Sequence, residues 1–216
     1  MGETNIAYIL LALLAAGVCI ALANALGQRR ASAGTAFLVS ILVAGTWWLV
    51  SAAFQVSSSD AASQSFWIKA QYPAMAVLPT LWLLFSLVSR GKARRIPPRY
   101  FALFAIEPAL SILLAWTNPS HALTWDLAAR LDRLPITLVQ PAGPWGWIHL
   151  GYSLLLYLTG AILLLHAHRA SSGFQRGAAW AMVGGGLLTG LGFGLEALKP
   201  GTGSHLHAAP LIVVLG

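Results

Sequence analysis

The sequence predicts an all-α polytopic membrane bundle of six complete transmembrane helices and a truncated seventh, with the amino terminus outside. Three observations carry this expectation. Of the 216 residues 57% are hydrophobic and only 9% are charged, too little polar surface to cover a soluble globule of this size. The apolar residues gather into runs close to the ~20 residues that a helical span requires. The basic residues fall mainly on alternate turns between those runs, as topology signals do.

The runs lie at about 6–26, 35–56, 67–89, 100–116, 147–167 and 177–198. The first has Glu3 before it and Arg29-Arg30 after it, the reverse of the charge order of a cleaved signal peptide, so it is expected to remain as a span. Arg29, Arg30, Arg90, Lys92, Arg94, Arg95, Arg99, Arg169 and Arg176 make nine of the thirteen Lys and Arg, and all fall on one set of turns. That asymmetry puts those turns in the cytoplasm and the amino terminus outside. It also explains the net charge of +7 as an orientation signal and anionic-lipid contact, not as a nucleic-acid surface. A seventh run, 208–216, rises only ~14 Å as a helix, about half the hydrocarbon thickness. The chain therefore reads as a fragment, with further residues expected after 216.

Polar groups inside the runs are the informative ones, because an ionisable side chain in hydrocarbon is costly and usually faces the bundle interior. Glu107 sits in the middle of the fourth run, and Pro108 beside it frees a backbone carbonyl. It serves either as a structural ion pair or as a ligand or proton site. His149 and Tyr152 are three apart and share one face near the outer end of the fifth run. The third run holds Pro73 and Pro79, which mark either a kink or a moving part. In the sixth, Gly186, Gly190 and Gly194 repeat at four-residue spacing, a stripe along which a neighbouring helix can pack closely.

The segment 117–146 is too long for a plain connection and is expected to form an extracytoplasmic lid. Trp116, Trp125, Trp145 and Trp147 anchor it or its borders, and 136–139 lies between Pro135 and Pro141 as a candidate short hairpin. Asn118 and His121, with His149 and Tyr152 beneath, would line a polar pocket under the tryptophans. Glu107, Trp116, Asn118, His121, Trp125, His149 and Tyr152 are therefore the candidate ligand-binding residues. No metal is expected, since neither HxxxH nor HxxE spacing occurs among the histidines and the single cysteine, Cys19, excludes a thiolate cluster. No catalytic residue or cofactor is expected in these helices either.

A family resemblance rests on an ordered set of residues. Phe66-Trp67-Ile68-Lys69 leads into the third run, which holds Tyr72, Pro79 and Phe85. Pro108 lies in the fourth run, then come Leu114-Ala115-Trp116-Thr117-Asn118 and His121, and finally Gly143-Pro144-Trp145 and Tyr152. In this the chain resembles the seven-transmembrane amino-terminal sensor region of bacterial histidine kinases. The resemblance implies a multi-pass protein of the bacterial cytoplasmic membrane with an input site at the outer half of the bundle. It further implies a cytoplasmic output domain in cis after 216, of the kinase, PAS or cyclic-dinucleotide type, and a homodimer of the full-length protein. Membrane lipids and a small or lipid-like ligand are the expected partners. The alternatives are a small-molecule or ion transporter or channel, for which no internal repeat speaks, and an intramembrane enzyme, for which no nucleophile motif or HExxH speaks. A retinal-type photoreceptor is a further alternative.

Overall fold

The computed structural model describes residues 3–28, 32–89, 97–124, 143–168, 180, 183 and 184. Five helices in it are long and apolar enough to cross a membrane: α1 (Glu3–Gly27), α2 (Ala33–Ser57), α3 (Ala61–Ser89), α4 (Pro98–Thr117) and α5 (Pro144–His168). A single 3-10 turn, Asn118–Ser120, extends α4. Among the described residues there is no strand. The chain is a multi-pass membrane protein, helical throughout its described spans. The seventh run, Trp125, the 136–139 segment, most of the sixth run and the glycine stripe Gly186, Gly190 and Gly194 lie outside the described residues.

Helix ends follow from local chemistry more than from hydropathy. Ser32 caps α2, its Oγ accepting the Thr35 N–H at 3.0 Å. Asp60 does the same for α3 through Oδ1 and the Ser63 N–H at 2.8 Å, so α3 starts at Ala61, six residues before its apolar run. Proline opens both α4 and α5, at Pro98 and Pro144, where a missing N–H costs nothing. As a result the last part of the predicted lid, from Pro144, is already the first turn of α5.

α3 is the hub, contacting α2, α4 and α5. In its apolar stretch 67% of the residues are buried, against 17% in α4. On one side it meets α2 through indole and amide groups. Trp47 Nε1 donates to the Ala70 carbonyl at 2.6 Å, on the turn that Pro73 disrupts by removing its own N–H. Trp48 Nε1 donates to Gln71 Oε1 at 3.0 Å, and Gln71 Nε2 donates to Gln55 Oε1 at 2.8 Å. Trp48, Gln71 and Gln55 are all buried, so these partners replace the water that the hydrocarbon lacks.

On the other side Trp82 lies against α5. Its Nε1 donates to the Tyr157 carbonyl at 3.1 Å, and a Cβ at position 160 would run into its indole, so glycine is needed there. Phe85, Tyr157, Ala161 and Leu164 complete that contact. α1 packs on α2 through small side chains, Ala12, Ala15 and Ala16 against Leu49, Ala52 and Ala53, which permits close backbone approach. The outward faces carry Leu10, Leu14, Leu103, Leu113, Leu155 and Ile162, all exposed, as a lipid-facing surface requires.

Two predictions follow from this packing. Gln71→Leu keeps the volume but takes the acceptor from Trp48 and a donor from Gln55. Resistance to detergent-induced unfolding should fall by about 1–2 kcal/mol; an unchanged curve would show the network to be dispensable. Asp60, outside the spans, has its carboxyl held below the usual range by the Ser63 N–H and hydroxyl. A lowered native pKa means that its stabilisation is full above the unfolded value of about 3.9 and fades as pH falls through the native one. Asp60→Asn keeps an acceptor that does not titrate, so acid titration should narrow or reverse the gap between wild type and variant. Parallel curves would remove Asp60 from the acid response.

Candidate functional site

Two pairs of side chains, each four residues apart, face one another across α4 and α5. Four-residue spacing sets both members of a pair on one face, a turn apart. On α4 the pair is Glu107 and Ser111; on α5 it is Trp145 and His149. Glu107 is mid-span, about ten residues from either end of α4, so the cluster begins ~15 Å below the Thr117 end and climbs toward it.

The hydrogen bonds form a chain. Trp145 Nε1 donates to Ser111 Oγ at 2.9 Å, and Ser111 Oγ donates to Glu107 Oε1 at 2.6 Å. His149 Nδ1 meets the same Oε1 at 2.7 Å and lies 3.3 Å from Ser111 Oγ. Ser111 has one hydroxyl hydrogen, and the shorter distance directs it to Glu107. Where His149 carries an Nδ1–H, the 2.7 Å contact is a second bond donated to the same oxygen. Two short bonds accepted at one oxygen are the pattern of an ionised carboxylate. Ser111 is fully buried, while the side chains of His149 and Glu107 keep 12% and 13% of their surface open. The second carboxyl oxygen, Oε2, is buried with no hydrogen-bond partner among the described residues.

Tyr152, one turn further along α5, lies within electrostatic reach of Glu107, and its hydroxyl is 3.4 Å from Thr80 Oγ1 on α3. The cluster is thereby tied to the hub helix. α4 and α5 have few other contacts with each other, so these polar bonds are the main joint between them.

Asn118 and His121 sit elsewhere, in the turn above. Asn118 is fully buried; its Oδ1 accepts the Thr124 N–H at 2.9 Å and also the Thr124 hydroxyl. Its carbonyl accepts from the Ala122 N–H at 2.8 Å. Those bonds hold Ala122 at φ 52°, a left-handed conformation that costs a non-glycine residue about 1 kcal/mol. His121 Nδ1 accepts the Leu123 N–H at 3.1 Å, which places the ring proton on Nε2, 2.9 Å from Thr117 Oγ1. Both residues thus shape the turn that docks on α5. There the Leu123 carbonyl accepts the Trp145 N–H at 2.9 Å, and a Cβ at Gly143 would strike that same carbonyl.

Trp116 is apart from both groups. It meets Phe66 edge-on at 6.0 Å, and Phe66 continues to Trp67 and Phe54, which stack at 4.6 Å. This aromatic row at the ends of α2, α3 and α4 suits a membrane interface. Trp125 is outside the described residues. The structure therefore brings Glu107, His149 and Tyr152 together, adds Ser111 and Trp145, and separates Asn118, His121 and Trp116 from them. The signal for Ser111 was its four-residue step from Glu107, and for Trp145 the same step from His149. No three His, Cys, Asp or Glu side chains gather as a metal site among the described residues.

Comparison with protein families finds one whose model, described as the N-terminal 7TM region of histidine kinase, matches residues 8–215. Neither the curated proteins nor the solved structures offer a match.

A joint built on one hydroxyl makes a specific prediction. Ser111→Ala and Trp145→Phe each remove the same indole–hydroxyl bond, so their effects on stability should fall short of additive by about 0.5–1.5 kcal/mol. Unfolding of the two single variants and the double variant measures this. Strict additivity would mean that the bond does not hold the helices.

Proposed function

The chain belongs to the family of N-terminal 7TM regions of histidine kinases, and on that premise we propose that it is the sensory input region of a bacterial sensor kinase. It detects a small or lipid-like ligand in the half of the bundle nearest the α4–α5 turn and relays a helix rearrangement to an output domain in cis. In this reading the bundle has six full spans and a seventh that begins near residue 208. The amino terminus and the 117–146 lid lie outside the cytoplasmic membrane, and the full-length protein acts as a homodimer. The distribution of Lys and Arg supports that orientation, since nine of the thirteen fall on the turns assigned to the cytoplasm.

The observation that carries the sensory reading is the α4–α5 joint, in which one carboxyl oxygen has no partner among the described residues. A ligand shifts an equilibrium only by binding one arrangement better than another. The Glu107 carboxylate gives it the means, because whatever engages Oε2 changes the charge that His149 and Ser111 hold on Oε1. Moving those bonds moves α4 against α5, which have little else to keep them in register. Tyr152 and Thr80 tie the joint to α3, against which the motion takes place. The turn built by Asn118 and His121 acts from above, through the Leu123 carbonyl and Trp145.

The test is an in-cell reporter driven by the full-length protein, with membrane levels checked by immunoblot. Glu107→Gln and His149→Ala should each fix the output high or low, or shift the midpoint of its response by about tenfold, the size of one charge-assisted bond. Trp116→Phe, which keeps an aromatic edge, should leave the response within about twofold. Wild-type responses from Glu107→Gln and His149→Ala at normal membrane levels would overturn the proposal.

A further inference from the structure

We propose that the ligand of this site is a protonated amine on an apolar body, its ammonium bound at Glu107 Oε2. The inference deepens the sensory reading of the same site and rests on it. Four observations lead to it.

The first is charge. Oε1 accepts from Ser111 at 2.6 Å and lies 2.7 Å from His149 Nδ1; with an Nδ1–H donated there, the carboxyl is in the form that carries negative charge. The second is an unmet acceptor: Oε2 is buried and has no hydrogen-bond partner among the described residues. A carboxylate oxygen in a medium without water is a strong acceptor in want of a donor. The third is that no Lys or Arg among the described residues pairs with Glu107, whose ion-pair partner is His149. With His149 as the neutral Nδ1–H tautomer, no cation among the described residues compensates the carboxylate.

The fourth is the way in. Glu107 keeps 13% of its side chain open, so the residue that carries Oε2 is not sealed off. The surface on either side is Leu103, Ile106 and Leu110 on α4 and Ile148 on α5, all exposed and apolar. A ligand reaching the carboxylate across that surface needs an apolar body. An alcohol of the same shape supplies a donor but no charge, and a fatty acid brings a second negative charge, so an ammonium alone meets both needs.

The experiment uses the full-length protein in nanodiscs of neutral lipid at pH 7, with radiolabelled dodecylamine as probe. Dodecanol and dodecanoate are unlabelled competitors of matched chain length. Partition into lipid is non-saturable and is subtracted with protein-free discs. Wild type should show a saturable component, weakened about tenfold or more by Glu107→Gln and kept within a few-fold by Glu107→Asp, which retains the charge. Dodecanol and dodecanoate should compete at least about tenfold less well than unlabelled dodecylamine. The inference is overturned by equal competition from dodecanol, by equal binding to Glu107→Gln, or by no saturable component. Reporter output separates the two levels: saturable amine binding with unresponsive output sinks the sensory reading alone, while a response that needs Glu107 without amine binding sinks the amine alone.

Discussion

The hydrocarbon interior of a bilayer holds no water, and this constraint decides where nearly every polar side chain of the bundle goes. A buried donor or acceptor must be met by the chain itself, and the ones that are met become the joints between helices. Trp48, Gln71 and Gln55 join α2 to α3; Trp82 and the Tyr157 carbonyl join α3 to α5; Trp145, Ser111, Glu107 and His149 join α5 to α4. Apolar packing alone gives little preference among helix arrangements, since lipid tails are as apolar as leucine. Register is set by these bonds and by close approach at Gly160 and the alanines of α1.

The three joints differ in kind. The α2–α3 and α3–α5 joints use neutral indole, amide and carbonyl groups whose bonds are backed by buried side chains on all sides. The α4–α5 joint contains a carboxyl group and an imidazole, remains partly open, and leaves one oxygen without a partner among the described residues. Its helices also touch each other least. Rigid contacts are thus concentrated on the hub, and the one charged, incompletely satisfied contact lies where the scaffold is thinnest. This is the distribution expected of a device that holds most of its structure fixed while one element moves.

Much of this was legible in the sequence. The helical class and five spans followed from apolar runs whose lengths match a bilayer, and Glu107, His149 and Tyr152 stood out because ionisable or polar groups are rare there. Helix starts were less legible. Residues 61–66 are polar enough to read as a loop, yet a single carboxylate at Asp60 satisfies the first turn and lets the helix begin. Asn118 and His121 drew attention as polar residues in an aromatic setting. Hydropathy has no way of telling a ligand contact from a side chain that satisfies its own backbone, and both residues bond to the turn that contains them. Ser111 draws no attention and Trp145 reads as a lid anchor, because serine and tryptophan are common at such places. Their four-residue spacing from Glu107 and His149 becomes informative only when the two faces are known to meet.

The hydroxyl of Ser111 is the narrowest point of the joint. It accepts from Trp145 and has one hydrogen to give, with Glu107 Oε1 at 2.6 Å and His149 Nδ1 at 3.3 Å as its neighbours. With the hydrogen on Oε1 and an Nδ1–H on His149, that one oxygen accepts two bonds. If a cation at Oε2 withdraws charge from Oε1, both bonds to that oxygen weaken together, and the Trp145–Ser111 bond is polarised less. Trp145 also receives the turn above through its backbone N–H and the Leu123 carbonyl. A charge placed at one buried oxygen is thereby felt in the turn at the membrane surface, about two helical turns away, without any change in the α2–α3 contact. On the sensory reading, the rigidity of α3 is what makes this useful: a hub that does not yield directs the motion into α4.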